Sequence, residues 1–223
     1  MSQELPAKLR ERVLSTARAT PSPDRRDTRR ARRVAVLVGA GSSIGLLAAL
    51  GVGLAGRPLP FVVSSAIGWA SLAAATTWMA THRGMTMLGR TRRALAFAAI
   101  ATAPAVLSWV MACTVGWPGV REPAANAFTN VACLVATTLL SLGPLFALAF
   151  ARRGSDPVHP RATGAAIGAA AGAWGGVLID LHCPVVHPVH VALAHVMPIA
   201  IFALLGAALG ARLFGVRAPG SSR

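Results

Sequence analysis

Apolar residues run through this chain in six long stretches, parted by short segments rich in proline, arginine and histidine. The stretches are Val34–Gly56, Leu59–Thr81, Ala94–Trp117, Phe128–Ala151, Thr163–Leu181 and Val191–Phe214. Crossing a bilayer takes about 20 mainly apolar residues in a helix. Backbone groups in hydrocarbon must be satisfied within the segment. The pattern therefore predicts an all-α membrane protein, a six-transmembrane-helix bundle. A polar arm, residues 1–33, precedes the membrane domain at 34–214, and a short tail, 215–223, follows it.

Composition agrees with a lipid solvent. The chain is 54% hydrophobic and only 13% charged, with mean hydropathy +0.58. Soluble domains carry about 25% charged residues. Arg outnumbers Lys 21 to 1 and Tyr is absent, a usage we ascribe to a GC-rich bacterial genome. No cleavable signal peptide is expected, because the arm lacks an apolar core and the first apolar stretch is full length.

Charge turns the spans into a topology. Of the 22 basic residues, ten lie in the arm, Lys8 among them. Arg83, Arg90, Arg92 and Arg93 follow span two, Arg152, Arg153 and Arg161 follow span four, and Arg212, Arg217 and Arg223 end the chain. Only Arg57 and Arg121 fall in the alternate loops. Lys and Arg mark cytoplasmic loops, so both termini are expected in the cytoplasm, with the protein in the bacterial inner membrane. The net charge of +15 is thus explained by topology and lipid, without direct binding of nucleic acid. No ionisable residue sits in the middle of a span, which weighs against an ion pump.

Glycine marks helix contacts. Gly164, Gly168, Gly172 and Gly176 recur every fourth residue and line one face of the fifth span, permitting close approach of a neighbour. That neighbour is expected within the chain, with a homo-oligomer as the alternative.

Two places carry candidate chemistry. In the arm, Pro6–Ala19 reads as a short helix with Leu5, Leu9, Val13 and Ala17 within about 120° of one another. Arg12 lies on another face. A helix this short is marginal alone in water, so it is expected to order on a partner protein or on the membrane surface. Thr20-Pro21-Ser22-Pro23 then breaks the chain, and a basic helix starting at Pro23 is expected to run into the first span.

At the opposite, outer face the topology gathers Cys113, Cys133 and Cys183 with His182, His187, His190, His195 and Asp180. Thiolates and imidazoles bind zinc or copper, histidine can ligate haem iron, and paired thiols can oxidise. The readings are a signal-sensing or metal site at Cys133, Asp180, His182, Cys183, His187, His190 and His195, or ordinary interfacial side chains. A metal- or haem-binding transport or redox protein is the alternative function. No catalytic residues are assigned, since no clear nucleophile, base or acidic pair is present and the arm is too short for a catalytic domain.

The short arm, the six spans and the segment Asp180-Leu181-His182-Cys183-Pro184-Val185-Val186-His187-Pro188-Val189-His190 before the last span resemble bacterial integral-membrane anti-sigma factors of the CarR and NrsF type. The resemblance implies that the arm holds an extracytoplasmic-function sigma factor and frees it on a membrane or periplasmic signal, by conformational change or by proteolysis. In the CarR branch the implied signal is light or singlet oxygen and the output includes carotenoid synthesis. In the NrsF branch it is a metal or an oxidant, and Cys133 and Cys183 stand where that branch has its cysteines. The arm lacks the H-x-x-x-C-x-x-C pattern of zinc-binding anti-sigma domains.

Overall fold

Proline and glycine set most helix limits in the computed structural model of this protein, which describes residues 25–53, 57–81, 126–152 and 160–214, with Glu11 and Ser15. Helix α1 (Arg25–Leu50) ends at Gly51, whose φ of +85° is a left-handed closing conformation that favours glycine. Helix α2 (Leu59–Thr81) follows Pro58. Helix α3 (Ala127–Arg152) is capped by Asn126, whose Oδ1 accepts from the Thr129 N–H at 2.7 Å, satisfying one orphan donor of the first turn. Helix α4 (Pro160–His182) begins at Pro160, a residue suited to a first turn. It closes with the Cys183 N–H on Ile179 O at 2.7 Å, and Pro184 cannot continue the ladder. The last helix is composite: α5 (Pro188–His190), a π-helical segment Val191–Val196, and α6 (Met197–Phe214).

Among the described residues no strand occurs, and five helices are long and apolar enough to cross a membrane. They correspond to the first, second, fourth, fifth and sixth predicted spans. The third, Ala94–Trp117, lies outside the described residues, as do Leu5, Leu9, Arg12, Val13, Ala17 and Cys113. Glu11 and Ser15 are helical and exposed. Backbone contacts divide the chain into a unit Met1–Val34 and a unit Ala35–Arg223.

In the second unit, α4 is the central element. It is the most buried of the five spans, and its residues Ile167, Ala170, Ala171, Ala173 and Ile179 are fully enclosed. Its glycines explain how. A Cβ on Gly164 would collide with the Gly206 carbonyl, one on Gly168 with the Phe202 carbonyl, and one on Gly172 would lie 2.6 Å from the Ile199 Cα. The first three glycines of the stripe thus seat α4 backbone against α6 backbone. Gly176 instead faces the Trp69 ring of α2, 2.5 Å from a built Cβ. Without an aqueous driving force, such close van der Waals packing is what holds membrane helices together. Phe128, Leu37, Leu59 and Leu204 are largely exposed, which fits side chains solvated by lipid.

Proline inside a span needs a substitute donor, and the sequence supplies one. Pro144 interrupts α3 and cannot donate to Leu140 O four residues back. The Ser43 hydroxyl of α1 donates to that carbonyl at 3.0 Å. One hydrogen bond thereby repairs the ladder and ties α1 to α3.

Candidate functional site

The end of the second unit that carries Gly51, Arg57, Asn126 and His182 holds the described residues among the sequence's His, Cys and Asp candidates. Helix α3 contributes Asn130 and Cys133, three residues apart and so on neighbouring positions of one helix face. The turn between α4 and α5 contributes Cys183, held by Pro184 and Pro188 in a non-helical path. The composite last helix contributes His190 and His195.

These groups meet. Cys133 Sγ lies 3.5 Å from Cys183 Sγ, and Cys183 Sγ lies 3.2 Å from His190 Nε2. One ligand atom from each of Cys133, Cys183, His190 and His195 falls within 4.8 Å of all the others. Cys183, His190 and His195 are buried and Cys133 is half-buried. His190 Nδ1 is 2.6 Å from Asn130 Oδ1. An amide oxygen only accepts, so Nδ1 carries the proton and Nε2 presents its lone pair to the thiol. The His195 ring packs edge-on to His190, centroids 5.2 Å apart, and near Trp69 at 6.4 Å. Neither of its ring nitrogens has a hydrogen-bond partner among the described residues. Hydrogen bonding with Cys133, and then burial, push the Cys183 thiol up to about 11.

The pair His190 and His195 owes its convergence to the π segment. Residues five apart on an α-helix point about 140° from each other. A π-helix bonds residue i to i+5, here with the Met197 N–H on Ala192 O, and stacks such residues on one side. Pro198 follows, and its ring clashes with a carbonyl four residues back, favouring the wider turn ahead of it.

The other sequence candidates at this end serve different contacts. Asp180 pairs with Arg57, its Oδ1 3.3 Å from Nη2, with 3% and 10% of the Arg57 and Asp180 side chains exposed. The same Oδ1 accepts from the Ser65 hydroxyl at 3.0 Å. Arg57 Nη1 donates to the Asp180 carbonyl and to Cys183 O at 3.4 Å, and its guanidinium lies 5.1 Å over the Phe61 ring. His182 Nδ1 donates to Gly51 O at 2.8 Å, beside the bond from Gly53 N–H to Leu181 O at 2.9 Å. Half-buried His187 has no partner for Nδ1 among the described residues. The structure thus brings four of the seven candidates together and sets Asp180, His182 and His187 apart from them.

Two participants were not singled out by sequence. Asn130 precedes Cys133 by three residues, a spacing that signals a shared helix face. Arg57 was visible only as a rare basic residue on the sparse side, and Asp180 as a lone acid near a helix end. Their opposite charges were the available clue to the ion pair.

The model of one protein family, NrsF, described as "Negative regulator of sigma F", matches residues 16–215 of the chain. No curated protein and no solved structure matches it.

Proposed function

We propose that this chain, which belongs to the NrsF family of negative regulators of sigma F, is a membrane-bound anti-sigma factor. In this reading it holds an extracytoplasmic-function sigma factor through its cytoplasmic arm and frees it when a signal reaches the opposite face. The family is a regulatory one and not a family of enzymes. The observation that carries the reading is the extent of the match, residues 16–215, which takes in every described span. Leu5, Leu9, Arg12 and Val13 precede the matched region, so the sigma-binding role of Leu5, Leu9 and Val13 rests on the apolar stripe they form in the sequence, and that of Arg12 on its charge.

The contacts at the polar end support a signal that acts on thiols. Of the signals the resemblance implies, an oxidant or a soft metal fits two thiols 3.5 Å apart better than light does. A route from signal to arm is also available. Helix α1 runs from Arg25 to Leu50, and the residues just beyond it, Gly51 and Gly53, bond directly to His182 and Leu181, the neighbours of Cys183. A change at Cys183 would bear on those bonds, and so on the helix that leads into the arm. Moving a partner from nearly all held to nearly all free takes about 5.5 kcal/mol of differential stabilisation.

The test is co-purification of the full chain and of a chain lacking residues 1–33 with the sigma factors of the cell that produces it. The full chain should retain the sigma factor, and the truncated chain should insert in the membrane and retain none. Equal retention by both would refute the role of the arm. Retention by neither would refute the anti-sigma reading for this chain. A haem band or a metal-transport defect in cells lacking the protein would favour the transport or redox alternative.

A further inference from the structure

We infer that Cys133, Cys183, His190 and His195 form a single tetrahedral site for a zinc-group divalent cation, Zn²⁺ or Cd²⁺, with Asn130 fixing one of its ligands from outside. The proposal deepens the reading of this end as the place where a signal arrives, and rests on that reading only for its regulatory meaning. The binding itself stands on geometry.

Distances come first. A cation with sulfur ligands at about 2.3 Å and nitrogen ligands at about 2.0–2.1 Å sets ligand atoms roughly 3.3–3.8 Å apart at the corners of a tetrahedron. The thiols are already 3.5 Å apart, the Cys183 sulfur and His190 Nε2 are 3.2 Å apart, and all four ligand atoms lie within 4.8 Å. The two thiols, and the Cys183 sulfur with His190 Nε2, thus stand within about half an ångström of the separations a tetrahedron requires.

Preparation of the ligands is the second, independent argument. A metal-bound histidine typically donates its other ring N–H to an oxygen, which fixes the tautomer and orients the ring. His190 makes that contact to Asn130 at 2.6 Å, leaving Nε2 free to coordinate. His195 is 1% exposed and neither ring nitrogen is hydrogen-bonded by the described residues. Buried imidazoles normally have partners, and a cation at the centre of the four groups would supply one.

Ligand chemistry then selects the ion. Two thiols and two imidazoles, with no carboxylate among them, favour zinc-like and softer cations over magnesium or calcium. Asp180 has its Oδ1 engaged by Arg57 and Ser65 and does not fall within the four-residue group. All four ligand positions are filled by protein, which is the pattern of a closed site and not of a catalytic one.

The experiment uses the full-length chain, reduced, in detergent micelles or nanodiscs, with Cd²⁺ and Zn²⁺ as probes. Titration should give one equivalent bound, with a thiolate-to-cadmium charge-transfer band. Replacing any one of the four, as in Cys133→Ser, Cys183→Ser, His190→Gln or His195→Gln, should weaken binding by more than the ~10–100-fold expected for loss of an outer partner. His187→Gln should leave it unchanged. X-ray absorption of the zinc-loaded wild type checks the site without any variant and should show two sulfur and two nitrogen neighbours at the distances above. Absence of stoichiometric binding, or binding that needs the cysteines but is indifferent to both histidines, overturns the proposal. Sigma-factor co-purification with and without metal is read separately. A chain that retains the sigma factor yet binds no cation defeats the metal site alone, and a chain that binds the cation but retains no sigma factor defeats the anti-sigma reading alone.

Discussion

Breaking the Arg57–Asp180 pair should loosen the end of the bundle that holds Cys183. The pair is enclosed, with 3% and 10% of its side chains exposed, and its charged atoms are 3.3 Å apart. At an effective dielectric of about 20 the Coulomb attraction at that distance is ~5 kcal/mol. The desolvation of both ions offsets much of it, so the pair as a whole adds little over an apolar substitute. Removing one partner is different, because the other charge stays buried, at a cost of ~3–5 kcal/mol. Asp180→Ala should fall near the lower bound, since Arg57 keeps the Asp180 and Cys183 carbonyls and the Phe61 ring. Arg57→Met with Asp180→Leu together should cost at least ~2 kcal/mol less than the two single changes summed. Tryptophan fluorescence during detergent-driven unfolding in mixed micelles measures each variant. Because Arg57 also holds the Cys183 carbonyl, a local loss of ~3 kcal/mol should raise the alkylation rate of the Cys183 peptide by about 100-fold. Single variants each costing under ~1 kcal/mol, with additive effects and unchanged alkylation, would mean the pair is solvated and the reasoning wrong.

Three further outcomes are expected. Gly168→Leu should destabilise the protein by ~1–3 kcal/mol or more, because any side chain there meets the Phe202 carbonyl; Gly41→Ala, which meets nothing within 4 Å, should be neutral or stabilise by up to ~1 kcal/mol. Both are read by the same unfolding assay. Asn130→Ala should lower cadmium affinity by ~10–100-fold while leaving one equivalent bound at saturation, as competition with a chelator would show; unchanged affinity would remove Asn130 from the site. Ser43→Ala should cost ~1–3 kcal/mol by stranding the Leu140 carbonyl beneath Pro144, whereas Ser43→Ala combined with Pro144→Ala should recover most of that loss; equal stability of the two variants would show that the Ser43 bond does not serve the proline.

The spans were legible because length and apolarity alone decide them: Leu59–Thr81 has the same limits in the sequence reading and in the structure. The glycine stripe was legible because a repeat of four keeps to one helix face, although Gly176 turned out to meet Trp69 of α2 and not α6. The thiol–imidazole cluster was legible only as a list of neighbours at one face. Its membership was hidden by the five-residue spacing of His190 and His195, which an α-helical reading scatters to different sides. Only the π segment Val191–Val196 restores them, and its cue, Pro198, is weak in isolation. The Ser43–Leu140 and Arg57–Asp180 contacts join residues 97 and 123 positions apart, beyond what periodicity can express.

The π segment has one more implication, for how the last helix can change over evolutionary time. His190 precedes Gly206 by 16 residues, which on an unbroken α-helix puts them about 160° apart. The wider turn absorbs roughly one residue, about 100°, and brings the imidazole within about 60° of the glycine side that meets Gly164. The segment works as a one-residue insertion that lets two otherwise incompatible faces share a rod. Deleting a single residue such as Leu193 should therefore let a regular α-helix carry the same phase, with His190 15 residues before the glycine, about 60° from it, and four residues before the other histidine. In comparing homologous chains, a one-residue gap at this point is the change to look for: it would mark a lineage that kept both the bundle and the cluster on an unbroken helix.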